Sequence, residues 1–456
     1  MTDGLIATID PYNLYIWYEN KNRRKRKMKR LREKALAAGL AAMLLFTGCA
    51  HNVPAQTEPL KNDPALKTEI KLVDVSQQKI DEAKMNDEYG RYTFELMKKV
   101  SENAKKSNVM ISPASIMMAL DMVAAGAKGE TLKQLNDLFA KDTDSLEQQA
   151  FASELMKRFN ASQKVKFACA NAIWSDSRRL GDKVNAQYTE YIKKTFEAEF
   201  SSVLFDGNTH NTINKWVDEK TNHMIPTLFD SPLDPNTVMV LVNAIRFEAE
   251  WNQAYTKDQI IKKIFRGTDG EKEATMLTST ENEYFETDKA KGFLKLYQGE
   301  EYAFVVILPK DEKIDANEFI KNFTYDDYKE FLASRSKDEV RALMPEFKSD
   351  YAVGLNEILK QLGVTDAFSD AKADLTGIAN PQGGRLFVSK VIHKSHIEVD
   401  RKGTKAAAAT GITLDVKGAA PVKDLKEVIC DRPYAYAIVD TVSMNPVFIG
   451  TVNNVG

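Results

Sequence analysis

Few residues in this chain are placed to do chemistry. Three cysteines cannot build a disulfide framework, and five histidines leave little room for a multi-histidine metal site. His393 and His396 are three apart in the alternating segment Phe387 to Val399. On a strand they point to opposite faces, which makes them a poor metal pair and better hydrogen-bonded core residues. Cys169 lies in the strand-like run Phe167-Ala168-Cys169-Ala170 and reads as a small buried hydrophobe. Cys430 precedes another strand and reads as a structural thiol. The sequence has no glycine-rich phosphate loop, no Cys-x-x-Cys and no Gly-x-Ser-x-Gly elbow. No nucleophile and base stand out together, so a hydrolase is disfavoured. No metal and no cofactor is expected.

Cys49 is different. Residues 1–48 hold ten Lys/Arg, all between Lys21 and Lys34, and four acids, a net +6. The whole chain carries −2, so the remainder carries −8. The balance disfavours nucleic-acid binding by the chain as a whole. After the basic run comes the apolar stretch Ala35 to Gly48, too short for a bilayer span of about 20 residues. Charge, then a short apolar region, then small residues make a secretory signal. Its end, Leu45-Phe46-Thr47-Gly48-Cys49, resembles the lipobox of bacterial lipoproteins, whose cysteine is lipidated and becomes the new N-terminus. The expectation is a signal peptide over 1–48, with residues 1–27 upstream of a start at Met28. Several acyl chains on Cys49 would hold the protein at the cell envelope, at the bacterial outer membrane or cell surface. Residues 49–84, polar with Pro54, Pro59 and Pro64, read as a tether.

One long domain follows, 85–456, with no repeat and no second linker. Apolar residues are 43% of the chain, an ordinary globular balance. Tyr89, Tyr92, Leu96 and Val100 recur at helical spacing. Ser112-Pro113 reads as an N-cap and first helical residue. Val165 to Trp174, Val238 to Phe247 and Tyr302 to Leu308 are β-forming apolar runs. Ile213 to Thr227 looks helical. This irregular interleaving predicts an α+β fold with large, mostly antiparallel sheets.

The unusual segment is 403–420. Every second residue from Thr404 (Ala406, Ala408, Thr410, Ile412, Leu414) is small or apolar, while Lys405, Ala407, Ala409, Gly411, Thr413 and Asp415 end polar. That is strand alternation with one buried face. The segment could live as a loop or as a strand inside a sheet, and small side chains would ease its entry between existing strands.

With this segment the sequence resembles the serpin family over about residues 86–456. The motifs are Asn108 to Ile116, Gly126 to Thr131, Ala170-Asn171-Ala172-Ile173-Trp174, Leu241 to Phe247 with Trp251, Gly403 to Thr410, Asp431-Arg432-Pro433-Tyr434 and Phe448 to Val452. The resemblance implies three β-sheets, eight to nine helices and an exposed reactive-centre loop. It implies a monomeric suicide-substrate inhibitor of a serine or cysteine protease. The protease cleaves the loop, and the loop enters the central sheet while the acyl-enzyme is still attached. Gly403, Thr404, Lys405, Ala406, Ala407, Ala408, Ala409 and Thr410 match the family's inhibitory hinge. This favours inhibition over the alternative, a non-inhibitory surface binding module. Ser112, Ser115, Asn243 and His393 match the network beneath the sheet, the shutter. Trp251, Glu346 and Arg401 fall at the breach, where insertion begins.

Two departures stand out. The family has Glu two residues before the hinge glycine and Lys opposite; this chain has Arg401 and Glu346. A charge-swapped salt bridge is therefore expected. Tyr434 replaces the signature's usual Phe. Counting from the hinge puts the scissile bond at Lys417-Gly418; counting back from Pro433 gives Val422, with Lys423 adjacent. A lysine suits trypsin-like proteases, whose specificity pocket carries an acid. A papain-like cysteine protease is the alternative target.

Overall fold

A strand covered on both faces reads as a nearly continuous apolar run, and Met239–Glu250 (β4) is buried at all but two positions, Asn243 and Arg246 being its buried polar residues. It lies in the middle of a six-stranded sheet. The computed structural model describes residues 74–141, 143–180, 183–381, 384–404 and 425–455, all within one unit, Ile70–Gly456. Cys49 and the proposed signal and tether up to residue 73 lie outside the described residues. So do Lys405 to Thr410, Lys417, Gly418, Val422 and Lys423.

The central sheet runs β11 (Phe347–Gly354), β12 (Lys390–Val399), β13 (Gly403–Thr404), β4, β2 (Val165–Asp176), β3 (Glu199–Val203). A second six-stranded sheet runs β1 (Val109–Ile111), β16 (Pro446–Val452), β15 (Tyr434–Asp440), β9 (Tyr302–Pro309), β8 (Ala290–Leu296), β7 (Tyr284–Glu286). A four-stranded sheet runs β14 (Lys426–Ile429), β10 (Val340–Pro345), β6 (Gly270–Glu281), β5 (Ile260–Gly267). Ten α-helices accompany them among the described residues, two of them of the six-residue class and one of four. Most strand pairs are antiparallel, as expected for an α+β fold. The pairs that break the rule are β2–β3, β10–β14 and β12–β4.

The central sheet has a core on each face. Under one face lies the helix Pro113–Ala124, all of whose residues are buried. It opens where the sequence suggested: Ser112 is extended, its Oγ accepts from Ser115 N–H at 3.4 Å, and Pro113 follows. Over the other face, Ile213 and Val217 of the helix Thr209–Lys220 meet Trp174, Val240, Val242, Ala244 and Ile392 in a separate cluster.

That second helix is shorter than the expected Ile213 to Thr227 reach. It stops at Lys220 because Asn222 and His223 are left-handed, with φ of 52° and 61°. Thr221 turns its hydroxyl onto Val217 O and takes Ile225 N–H. Pro226 could not continue an α-helix. The apolar residues beyond, Ile225, Leu228 and Phe229, are buried against the sheet from a non-helical segment. Of these, only Ile225 lies within the stretch expected to be helical.

Candidate functional site: a sheet seam with one strand begun

β4 and β12 are parallel neighbours, joined from Lys390↔Val240 to His396↔Arg246. Beyond that, they part. Gly403 and Thr404 lie between them, antiparallel to both: Val399↔Thr404 on one side, Gly403↔Glu250 and Thr404↔Ala249 on the other. Two parallel strands can accept a third between them only if it runs antiparallel to both or parallel to both. β13 is the start of the first kind.

A tight reversal connects β12 to β13. Asp400 Oδ1 accepts from Lys402 N–H at 2.7 Å and Gly403 N–H at 3.1 Å, and Asp400 N–H donates to Gly403 O at 2.9 Å. Gly403 is demanded by closeness. A Cβ there would stand 2.1 Å from Ala249 O and 2.7 Å from Glu250 Cα, both backbone. Thr404 is fully buried, and its Oγ1 is 2.7 Å from Tyr297 Oη.

Trp251 directly follows β4 and holds this reversal. Its backbone N–H donates to Lys402 O at 2.8 Å, and its Nε1–H donates to Asp400 O at 2.9 Å. Its ring stacks on Tyr297, centroids 4.6 Å apart and planes 10° from parallel. Tyr255 N–H donates to Arg401 O at 2.8 Å.

The expected Glu346–Arg401 salt bridge needs correction. The residues do meet, but Glu346 Oε1 accepts from the backbone N–H of Arg401 at 3.2 Å. The Arg401 guanidinium makes no ion pair among the described residues. Arg401 is exposed, and at an exposed site an ion pair gains little over hydration. The carboxylate thus caps the reversal, whatever side chain residue 401 carries.

Further along the seam, Ser112, Ser115, Asn243 and His393 come together, joined by Asn171. In-register pairing places Asn171, Asn243 and His393 side by side across β2, β4 and β12. Asn243 Nδ2 donates toward Asn171 Oδ1 (2.6 Å), Ser115 Oγ (2.5 Å) and Ser115 O (3.0 Å). His393 Nδ1 meets Asn243 Oδ1 at 2.5 Å, and Nε2 accepts from Ser112 N–H at 3.2 Å. The seam is thereby tied to the helix beneath it. Asn171 is absent from the sequence-based site, although one polar residue inside Ala170-Asn171-Ala172-Ile173-Trp174 was a usable signal. Tyr297 and Asp400 gave no such sign.

The network fixes the proton of His393. Nε2 must accept, so the proton sits on Nδ1 and the ring is neutral. Complete burial agrees: it lowers the histidine to about 3. The unfolded chain takes up a proton near 6.5, well before the native state does. This contribution to stability is therefore full above pH 6.5 and falls as pH drops toward 3. At pH 5 the loss is about 2 kcal/mol. Thermal unfolding of wild type and His393→Gln at pH 7.5 and 5.0 checks this. The wild-type advantage should shrink at pH 5.0; an unchanged advantage would refute a neutral buried imidazole.

His396, on the opposite face, has its Nδ1 2.6 Å from Asp350 Oδ1. Cys430 is buried; Cys169 is only partly so, yet burial pushes its thiol up to about 12. Neither is a poised nucleophile. Among the described residues, no group of three or more His, Cys, Asp or Glu could hold a metal ion, and no helix is long and apolar enough to cross a membrane. What the seam holds is the two-residue start of a strand, β13, between β4 and β12.

Comparison with known proteins agrees with this geometry. Residues 87–455 match the family model described as "Serpin (serine protease inhibitor)". Iripin-2 of Ixodes ricinus is 31% identical over 386 residues, covering 82% of this chain and 94% of that protein. The leukocyte elastase inhibitor of Homo sapiens is 31% identical over 379 residues, covering 79% and 96%. Among solved structures, tengpin, a thermophilic serpin in its native state, superposes with a TM-score of 0.76 at 35% identity, over 85% of this chain and 96% of that one.

Proposed function

The chain belongs to the serpin family, and on that premise we propose that it is an irreversible suicide-substrate inhibitor of proteases. A protease attacks the loop between β13 and β14. Its nucleophile forms an ester or thioester with the carbonyl of the bait residue, and the peptide bond to the following residue breaks. The freed hinge end extends β13 down the seam. The protease is carried along before water can release it.

One observation carries this reading: β13 is already seated, antiparallel to both β4 and β12, at one end of a seam whose remainder is closed. The hinge sequence supports it further. Ala406 to Ala409 would follow Thr404 between the strands with little side chain to bury or to clash.

Lys417 is the proposed bait residue, with Gly418 beginning the released peptide. The target is then a trypsin-like serine protease, whose acidic pocket would pair with the lysine. Val422 and Lys423 are the alternatives from the other end of the loop. Cys49 is proposed to carry the lipid that holds the domain at the envelope, through the tether. The run of ten Lys/Arg, the apolar stretch and the small residues before the cysteine support this. Expressed in a bacterium, Cys49→Ser should move from the membrane to the soluble fraction. If it stays with the membrane, the anchor is elsewhere.

Protein lacking residues 1–49 is mixed with trypsin and run on a denaturing gel. The expected result is a stable band at the summed mass and a released peptide beginning at Gly418. A peptide beginning at Lys423 or Asp424 would move the bait to Val422 or Lys423. Cleavage without a complex, followed by a rise in melting temperature, would shift the target to a papain-like enzyme. Cleavage with neither would make the chain a non-inhibitory binding module.

A further inference from the structure

A buried ammonium lies against Trp251 and Tyr255, two residues that hydrogen-bond the Asp400–Gly403 reversal. Lys295, on β8, has a side chain only 4% exposed. Burying a lysine is unfavourable unless the charge is paired and hydrogen-bonded. Its Nζ is 2.8 Å from Glu281 Oε1, at the end of β6, and Ser279 Oγ donates to the same oxygen at 2.6 Å. The ammonium also lies over two aromatic rings, 4.5 Å from the centroid of Tyr255 and 5.7 Å from that of Trp251. A desolvated cation over an aromatic face is attracted by the ring's negative face.

Those two rings are not arbitrary. Trp251 and Tyr255 are the residues whose backbone N–H groups hold Lys402 O and Arg401 O, both at 2.8 Å, while the Trp251 indole holds Asp400 O. Trp251 also stacks on Tyr297, which bonds Thr404. Three sheets meet here: β6 supplies Glu281, β8 supplies Lys295, and β4 leads into Trp251. An ion pair between residues 281 and 295 is one that no reading of the breach from Glu346 and Arg401 would supply.

We propose that Lys295, fixed by Glu281, is a positioning residue for strand insertion: by setting the rings of Trp251 and Tyr255 it places the Trp251 indole and the two backbone N–H groups that hold the Asp400–Gly403 reversal, from which the inserted strand must start. Its consequence for inhibition rests on the reading given under Proposed function; its local role does not. If the ammonium only filled space, a methionine of similar length would serve. If it positions, methionine should loosen the reversal and leave the rest of the fold alone.

The test is amide hydrogen exchange on the uncleaved protein, wild type and Lys295→Met. The amides to follow are those of Trp251, Tyr255 and Gly403, with β9 and β15 as the reference. The expected result is at least tenfold faster exchange at the three amides, unchanged exchange in β9 and β15, and recovery in Lys295→Arg. Should Lys295→Met fail to fold with Glu281 left unpaired, Lys295→Met/Glu281→Leu removes both charges, and the same local loosening is expected. Wild-type exchange at the three amides in the foldable variant, or an equal rise everywhere, overturns the proposal. Alongside, the number of inhibitor molecules consumed per protease trapped should rise at least threefold in the variant. A wild type that traps no protease defeats the inhibitor reading, and the exchange result then decides the positioning role by itself.

Discussion

Thr404→Arg is expected to turn the proposed trap into a substrate. Thr404 is fully buried between β4 and β12, paired with Val399 and Ala249 and bonded to Tyr297. Arginine there must either bury an unpaired guanidinium or leave the seam. Burying such a charge costs several kcal/mol even after relaxation. The hinge would be expelled, and the cleaved loop would have no starting point. After cleavage, insertion competes with hydrolysis of the acyl-enzyme. Each 1.36 kcal/mol added to the insertion barrier favours hydrolysis tenfold, so about 3 kcal/mol makes about a hundred cleavages per trapping event. The rate of loop cleavage itself should be unchanged. Measured as moles of protein consumed per mole of trypsin inhibited, the variant should exceed wild type by about a hundredfold. Undiminished trapping would mean that insertion does not begin at Thr404.

Asn243→Ala has the second large expected effect, of a different kind. Asn243 serves Asn171, Ser115 and His393 at once, all buried. Its removal leaves their polar groups without that partner, at about 1 kcal/mol or more for each. Its bond to His393 spans the β4–β12 seam, and its bonds to Ser115 reach the helix below. If opening the seam breaks these bonds, the variant starts closer to the open state. About 3 kcal/mol lost from the closed state and not from the barrier shortens the lifetime of the uncleaved form about a hundredfold. Incubation at a temperature just below unfolding, followed by assay of remaining trapping capacity, measures it. A lifetime equal to wild type would show that the network stabilises the fold without latching the seam.

Much of this was legible in the chain, and the failures have reasons. Ser112-Pro113 announced a helix start because capping is local chemistry. Gly403 and Thr404 do form a strand, while the alternation read from 405 onward lies outside the described residues. The residues of the seam were legible only through family resemblance, since nothing in the sequence places His393 beside Asn243. The Glu346–Arg401 contact was located correctly, but its form was not. Adjacency follows from the fold, whereas a long exposed side chain chooses between water and a partner. Lys295 and Glu281 were missed altogether. They occupy separate strands of separate sheets, and neither differs in sequence from a surface charge. The end of the expected Ile213–Thr227 helix misled because an apolar residue such as Ile225 can be buried from a non-helical segment, where the chain turns left-handed at Asn222 and His223 and Pro226 follows.

If the chain is a trap, the seam gains a strand once the loop is cut. The most direct measurement is the melting temperature of the protein, lacking residues 1–49, before and after a single cut between residues 411 and 424. Full insertion adds an antiparallel strand bonded on both sides and loses the β4–β12 ladder. A net gain of about ten hydrogen bonds at about 1 kcal/mol each would raise Tm by about 10 °C or more. A cut form that melts at the same temperature as the intact one, or lower, would contradict insertion and with it the trap.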